Sequence, residues 1–215
     1  LEEKNTVAQV LKRAGYATAI AGKWQLCLMK EDTEQPTRMG FDQWSVFGWH
    51  EGARFHEPMI YQDGRLRTDT KGKYGPELYV DFLGEFMKKS AEDKKPFFAY
   101  YPMLLVHSPF PKTPDSKPDP VNGAKAKSLA NFRDMTLYAD KCVGRIIDAL
   151  EENGLREKTV IIYTTDNGTH RALTYPYGSE ERKGEKAYAT DGGTHVPLII
   201  NCPGTVPAGI VSNDL

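Results

Sequence analysis

Apolar positions recur at helical spacing in three stretches of the chain, and short continuous apolar runs separate them. Val7, Val10, Leu11 and Ala14 form the first stripe, with Thr6 and Gln9 at capping-box spacing ahead of it and Gly15 as its stop. The second follows Pro76, which suits the first turn of a helix, and consists of Tyr79, Phe82, Leu83 and Phe86. The clearest helix is predicted over about residues 131–153, where Phe132, Met135, Ala139, Cys142, Val143, Ile146 and Leu150 share one face and Gly154 closes the end.

Four runs read as strands: YATAIAG, PFFAYYPMLLV, TVIIYTT and VPLIINC. They lack the strict polar alternation of a half-buried strand, which predicts burial on both faces. Asp63-Gly64 within IYQDGRLRT marks a tight hairpin. The remainder of residues 30–76 reads as irregular, residues 111–127 as a solvated loop, and residues 168–195 as a long polar stretch. No internal repeat is present. Helices alternating with such strands predict an α/β fold, a mainly parallel sheet sandwiched by helices. Ligands of such sheets sit beyond the carboxyl ends of the strands. There the sequence sets a cation, an imidazole and a pair of hard oxygen donors: Lys23, His107 and Asp166-Asn167 each end a strand run and are expected on one rim.

Composition changes this picture little. At 215 residues, 40% hydrophobic and 27% charged, the chain is ordinary globular material with room for one or two domains. A balance of 28 basic against 29 acidic residues gives no footprint for nucleic acid, and no apolar run is long enough to span a bilayer. The opening LEEKNTVAQV carries neither a start methionine nor a signal peptide, so a fragment is expected and the compartment is not legible. Cys27, Cys142 and Cys202 are an odd set without CxxC spacing, expected as buried free thiols.

Each chemical candidate has a plain alternative. Asp166-Asn167-Gly168 offers oxygen ligands suited to calcium or magnesium, yet after a strand it also reads as an ordinary turn. Two ligands fall short of calcium's shell of about six to eight oxygens. Lys23 suits an oxyanion as a point charge, or is a surface lysine. His107, in VHSPF where Pro109 stiffens the loop, is structural or an acid–base group. Lys186 lies with Arg182, Lys183 and Glu185 in a charged stretch longer than a plain connection needs. His170 and His195 flank that stretch as further candidates. The aromatic residues 44–55 could stack on sugar rings or pack in a core. Gly192-Gly193 forms no phosphate loop, since GxGxxG and GxxxxGK[ST] are absent, as are GxSxG and HExxH.

Together these motifs resemble the sulfatase family of the alkaline-phosphatase superfamily. TVAQVLKRAGYATAIAGKWQL is similar to the family's helix and strand leading to Gly-Lys-Trp-His, and KPFFAYYPMLLVHSPF to its strand and His-x-Pro loop. YADKCVGRIIDALEENGLREKTVIIYTTDNGTH resembles its long helix, strand and Asp-Asn-Gly metal motif; KAYATDGGTHVPLIINCPGTVPAG resembles the segment with its second substrate lysine. The four stand in the family's order.

The resemblance implies that Asp166 and Asn167 are metal ligands, for calcium or magnesium. It implies that Lys23 and Lys186 grip sulfate oxygens, and that His107 contacts sulfate and protonates the departing alcohol. Lys186 is preferred to Lys183 because it stands five residues before Asp191, as the family lysine does before its acid. The family nucleophile is a formylglycine made in Cys/Ser-x-Pro-x-Arg, which this sequence lacks: its cysteines stand in CLMK, CVGR and CPGT. That motif and two more metal-binding aspartates are expected upstream, and a C-terminal subdomain downstream. The 215 residues thus read as part of a catalytic α/β domain, inactive alone.

Gln25 stands where the family has histidine, which implies that it contacts substrate there, and it cannot act as a base near neutral pH. The implied activity is hydrolysis of a carbohydrate or aryl sulfate ester in a periplasmic, extracellular or lysosomal setting. A phosphoester or phosphonate hydrolase of the same superfamily is the first alternative, and a non-catalytic relative that binds sulfated glycans is the second. The partners implied are a sulfated small molecule or glycan and no nucleic acid.

Overall fold

Thr6 opens the first helix as its sequence requires. Its hydroxyl accepts the Gln9 amide at 3.0 Å while Gln9 Oε1 accepts the Thr6 amide at 3.0 Å, capping α1 (Val7–Arg13). Gly15, at φ +92°, turns the chain out of that helix and into β1 (Ala17–Lys23). The computed structural model describes residues 5–118 and 124–212, residues 124–127 by backbone alone. It divides into two compact units, Leu1–His107 with Thr136–Gly154, and Ser108–Met135 with Leu155–Leu215.

The first unit is built on a five-stranded sheet in the order β4-β3-β2-β1-β5, from β2 (Gln43–Phe47), β3 (Tyr61–Gln62), β4 (Arg65–Leu66) and β5 (Phe97–Tyr100) around β1. β1 runs parallel to both β2 and β5, whereas β2, β3 and β4 are antiparallel. The α/β expectation holds: the longer strands β1, β2 and β5 run parallel, and the short β3 and β4 make the sheet mixed. Here β3 pairs antiparallel with β2, and Asp63-Gly64, at positive φ of +46° and +86°, reverses the chain between β3 and β4.

Side chains alternate across this sheet and find helices on both faces. Ile20, Trp44 and Val46 point one way, into a core with Ala8 of α1 and with Met39 and Phe41. Phe47 and Phe97 point the other way, against Tyr79 and Phe86 of α3 (Gly75–Glu92). The stretch 136–152 of α4 (Ala124–Glu152) joins α3 through Tyr138, whose hydroxyl donates to Glu77, and through the 2.5 Å pair of Arg145 with Asp81. The short α2 (Gln35–Arg38) sits before β2. No described helix is long and apolar enough to cross a membrane.

The second unit holds two antiparallel two-stranded ribbons. β6 (Ile161–Thr164) pairs antiparallel with β9 (Leu198–Asn201), and β7 (Thr174–Tyr177) with β8 (Glu180–Lys183). The one-turn α5 (Asp191–Thr194) precedes β9.

Three expectations need correction. Residues 30–76 are not wholly irregular, since they supply β2, an interior strand. Of the two readings left open for their aromatic segment, packing describes most of it: Trp44, Phe47 and Phe55 are buried and only Trp49, 50% exposed, faces solvent among its described large aromatics. The long helix starts at Ala124 rather than near residue 131, because AKAKSLA is built of good helix formers. Of the loop expected over 111–127, residues 119–123 lie outside the described residues. Finally, β6 and β9 are not buried on both faces. They pair only with each other among the described residues, and Ile162, Leu198, Ile199 and Ile200 stay exposed. The thiols are free, with Cys27 half-buried and the other two buried. Burial pushes the Cys142 thiol up to about 11.

Candidate functional site

Lys23 closes β1 under tight constraint. Gly22 before it has φ +118°, and a Cβ there would lie 2.4 Å from the Pro102 carbonyl oxygen, so only glycine fits. The Lys23 amide donates to that same Pro102 carbonyl at 2.9 Å and the Trp24 amide to Phe47 at 3.1 Å. The end of β1 is thereby held between the ends of its two parallel neighbours. Trp24 is anchored beneath it: its indole donates to buried Gln35 at 2.8 Å and meets Phe41 edge-on. Lys23 is half-buried, and its ammonium has no ion pair among the described residues.

Gln25 follows in the left-handed region, φ +42°, uncommon for a residue other than glycine. It is half-buried, and its amide makes no hydrogen bond among the described residues. His107 lies beyond β5 rather than at its end. The chain leaves the strand at Tyr100, buries Leu104 and Leu105, and closes a turn in which the His107 amide donates to Leu104 at 2.9 Å. The ring is half-buried.

Asp166, Asn167 and Lys186 belong to the second unit. β6 ends at Thr164 and the chain turns at once. Thr165 Oγ1 donates to the Asn167 carbonyl at 3.4 Å and the Asn167 amide nitrogen to the Gly168 carbonyl at 3.3 Å. That leaves the Asn167 Oδ1 without a donor among the described residues, and the exposed Asp166 carboxylate without hydrogen bond or ion pair there. Two unspent hard oxygens suit a calcium or magnesium ion. No cluster of three or more His, Cys, Asp or Glu capable of holding a metal occurs among the described residues, so further ligands would have to join these two.

The structure brings Lys186 to this turn. Its amide donates to the Thr169 carbonyl at 3.0 Å, and the Gly168 amide donates to Gly193 at 3.0 Å. Lys186 is half-buried with no ion pair among the described residues, whereas Lys183 ends β8 exposed. Two histidines singled out by sequence have ordinary roles. His170 accepts the Ala172 amide at 3.1 Å and packs edge-on against Phe110; exposed His195 pairs with Asp191 at 3.1 Å, one helical turn away. Sequence reasoning missed the glycines that permit these close approaches, although Gly168, Gly184 and the Gly192-Gly193 pair were visible around the motif. It also missed Gln25's backbone, for which no local signal exists.

Comparison with known proteins adds an independent line. A family model described as Sulfatase matches residues 1–214. An arylsulfatase of Hemicentrotus pulcherrimus is 28% identical over 231 residues, covering 98% of this chain and 40% of that protein. An ulvan-active sulfatase of Formosa agariphila is 26% identical over 220 residues, covering 94% of this chain and 42% of its own length. The crystal structure of Ps i-CgsB in complex with k-i-k-neocarrahexaose superposes with a TM-score of 0.73 at 21% identity, over 94% of this chain and 48% of that one, a likeness of fold. The chain thus spans about two fifths of the length of the curated relatives it matches.

Proposed function

The chain belongs to the sulfatase family, and from that membership we propose that it forms part of the catalytic α/β domain of a sulfuric ester hydrolase. The ester is a carbohydrate or an aryl sulfate, classes that the names of the arylsulfatase and the ulvan-active sulfatase span between them. One observation carries the reading: in the second unit, unspent oxygen donors at Asp166 and Asn167 stand beside a lysine whose amide is bonded two residues further on, at Thr169.

In this reading Asp166 and Asn167 hold calcium or magnesium through their side-chain oxygens. The cation, when bound, supplies positive charge against the sulfuryl oxygens as negative charge builds on them. Lys23 and Lys186 bind sulfate oxygens as point charges, each half-buried and therefore worth more than in open water. His107 protonates the departing alcohol. Gln25 hydrogen-bonds an oxygen of the substrate and takes no proton. The nucleophile is a formylglycine contributed from outside these residues, since no Cys/Ser-x-Pro-x-Arg occurs within them.

The test compares para-nitrophenyl sulfate with para-nitrophenyl phosphate, using the protein at its full natural length. Sulfate should be the preferred ester, and Lys186→Ala should lower kcat/KM by about 10²–10³-fold, the usual cost of one charge-stabilising donor. Preference for the phosphate would move the assignment to a phosphoester hydrolase. Gln25 favours a second reading, a non-catalytic binder of sulfated glycans. Micromolar-range binding of a sulfated oligosaccharide without turnover would select it.

A further inference from the structure

Around Lys186 two backbone segments touch with no side chain between them. The Gly168 amide donates to Gly193, the Lys186 amide to Thr169 at 3.0 Å, and the Gly184 amide to Leu173 at 2.9 Å. A Cβ on Gly168 would lie 2.0 Å from the Gly192 oxygen, on Gly184 2.2 Å from the His170 oxygen, and on Gly193 2.1 Å from the Tyr188 oxygen. All three obstacles are backbone, so no other residue could take these places without moving a segment.

One side chain closes the arrangement. The Thr190 hydroxyl donates to Glu185 Oε2 at 2.5 Å, and the same carboxylate lies over Gly192, where a Cβ would come within 2.6 Å of it. The Tyr188 amide donates to the Glu185 carbonyl at 2.9 Å, which shuts a short loop over Lys186 and Ala187. Ala187 is held at φ +76°, a region that non-glycine residues enter only when their surroundings impose it. Glu185 would otherwise be the nearest carboxylate in sequence to the Lys186 ammonium. Spent on Thr190, it leaves that ammonium without an ion pair among the described residues.

We propose that Glu185 is a positioning residue for the sulfate-binding lysine: with Thr190 and the glycines at 168, 184 and 193 it forms a clasp that fixes Lys186 against the Asp166–Gly168 turn and keeps its charge for the substrate. The proposal rests on the reading of Lys186 as a sulfate ligand. An acid that served only the loop's solubility would have no reason to be half-buried with its oxygen bound to a threonine.

The experiment uses the protein at full natural length and reads kcat/KM on para-nitrophenyl sulfate, calorimetric affinity for inorganic sulfate, and amide exchange at Gly168 and Lys186. Glu185→Ala should weaken sulfate binding and kcat/KM by roughly ten-fold, the order expected of a misplaced rather than missing group. Thr190→Ala should reproduce that loss from the other side of the bond, should Glu185→Ala fold poorly. Glu185→Gln, whose amide oxygen still accepts the hydroxyl, should stay within about twofold of wild type. In a Lys186→Ala background neither alanine variant should cost anything further, because the lysine they position is gone.

A full additional loss in that background, or a glutamine variant as poor as the alanine one, overturns the proposal. Wild-type protein that neither cleaves nor binds sulfate sinks the functional reading instead. The clasp is then judged by exchange alone: undiminished protection of the Gly168 and Lys186 amides in Glu185→Ala overturns it.

Discussion

Gln25 is the residue at which this chain departs from the motif it otherwise follows. It sits directly after Lys23-Trp24, with the backbone at φ +42° and its amide without a hydrogen bond among the described residues. The indole of Trp24 and the packing of Gly22 on Pro102 hold the segment from behind, so a change at residue 25 should alter chemistry more than fold. Gln25→His should therefore raise kcat near neutral pH by at least about ten-fold, since a positioned general base contributes roughly 10²–10⁴. Steady-state kinetics of the full-length protein check this, and an unchanged kcat would mean that another group already takes the proton. At this scale the sequence was informative about residue types. That Lys23 closes one strand and that Asp166-Asn167 follow another was legible from the pattern. The glycines at 22, 168, 184 and 193 were legible as letters only, because what excludes a Cβ there is the carbonyl of a segment distant in the chain.

The elements were read well where local chemistry decides them. The α1 capping box, the Asp63-Gly64 turn and the stripe of α3 each depend on neighbours a few residues away, and each appears as expected. β2 was missed because its five residues carry no clear period and lie among glycines and aromatics that resemble loop. Only tertiary context makes it a strand: β1 on one side supplies the ladder, and Ile20, Met39 and Phe41 bury Trp44 to 1% exposure. That burial predicts a large cost on removal. Trp44→Ala should destabilise the first unit by about 3–5 kcal/mol, with some additional loss from the broken indole bond to Thr37. Denaturant unfolding followed by circular dichroism measures it. A change below about 1 kcal/mol would contradict the placement of β2 in the core.

For the whole molecule, the α/β architecture was legible from the alternation of helices and strands and the β3–β4 hairpin from Asp63-Gly64, whereas the antiparallel seating of β3 on β2 was not, because strand direction depends on which partner each strand finds. The β6–β9 ribbon shows the limit most clearly. Its apolar letters announce burial, yet Ile162 and Ile199 are 63% and 56% exposed. Exposed apolar ribbon of this kind associates readily. Expressed as these 215 residues, the chain should self-associate, and Ile162→Lys combined with Ile199→Lys should reduce that association. Light scattering across a concentration series would show it, and equal scattering by both forms would argue that the ribbon is not the sticky surface.

The proposal assigns Lys23, Gln25, His107, Asp166, Asn167 and Lys186 to the hydrolysis of a sulfate ester. Release of sulfate from para-nitrophenyl sulfate as a function of free calcium, for wild-type and Asp166→Ala protein at full natural length, tests that account most directly. Turnover should be lost on chelation, return on adding calcium, and fall by at least about 10²-fold in the variant. Turnover that survives chelation, or an Asp166→Ala protein as active as wild type, would contradict it.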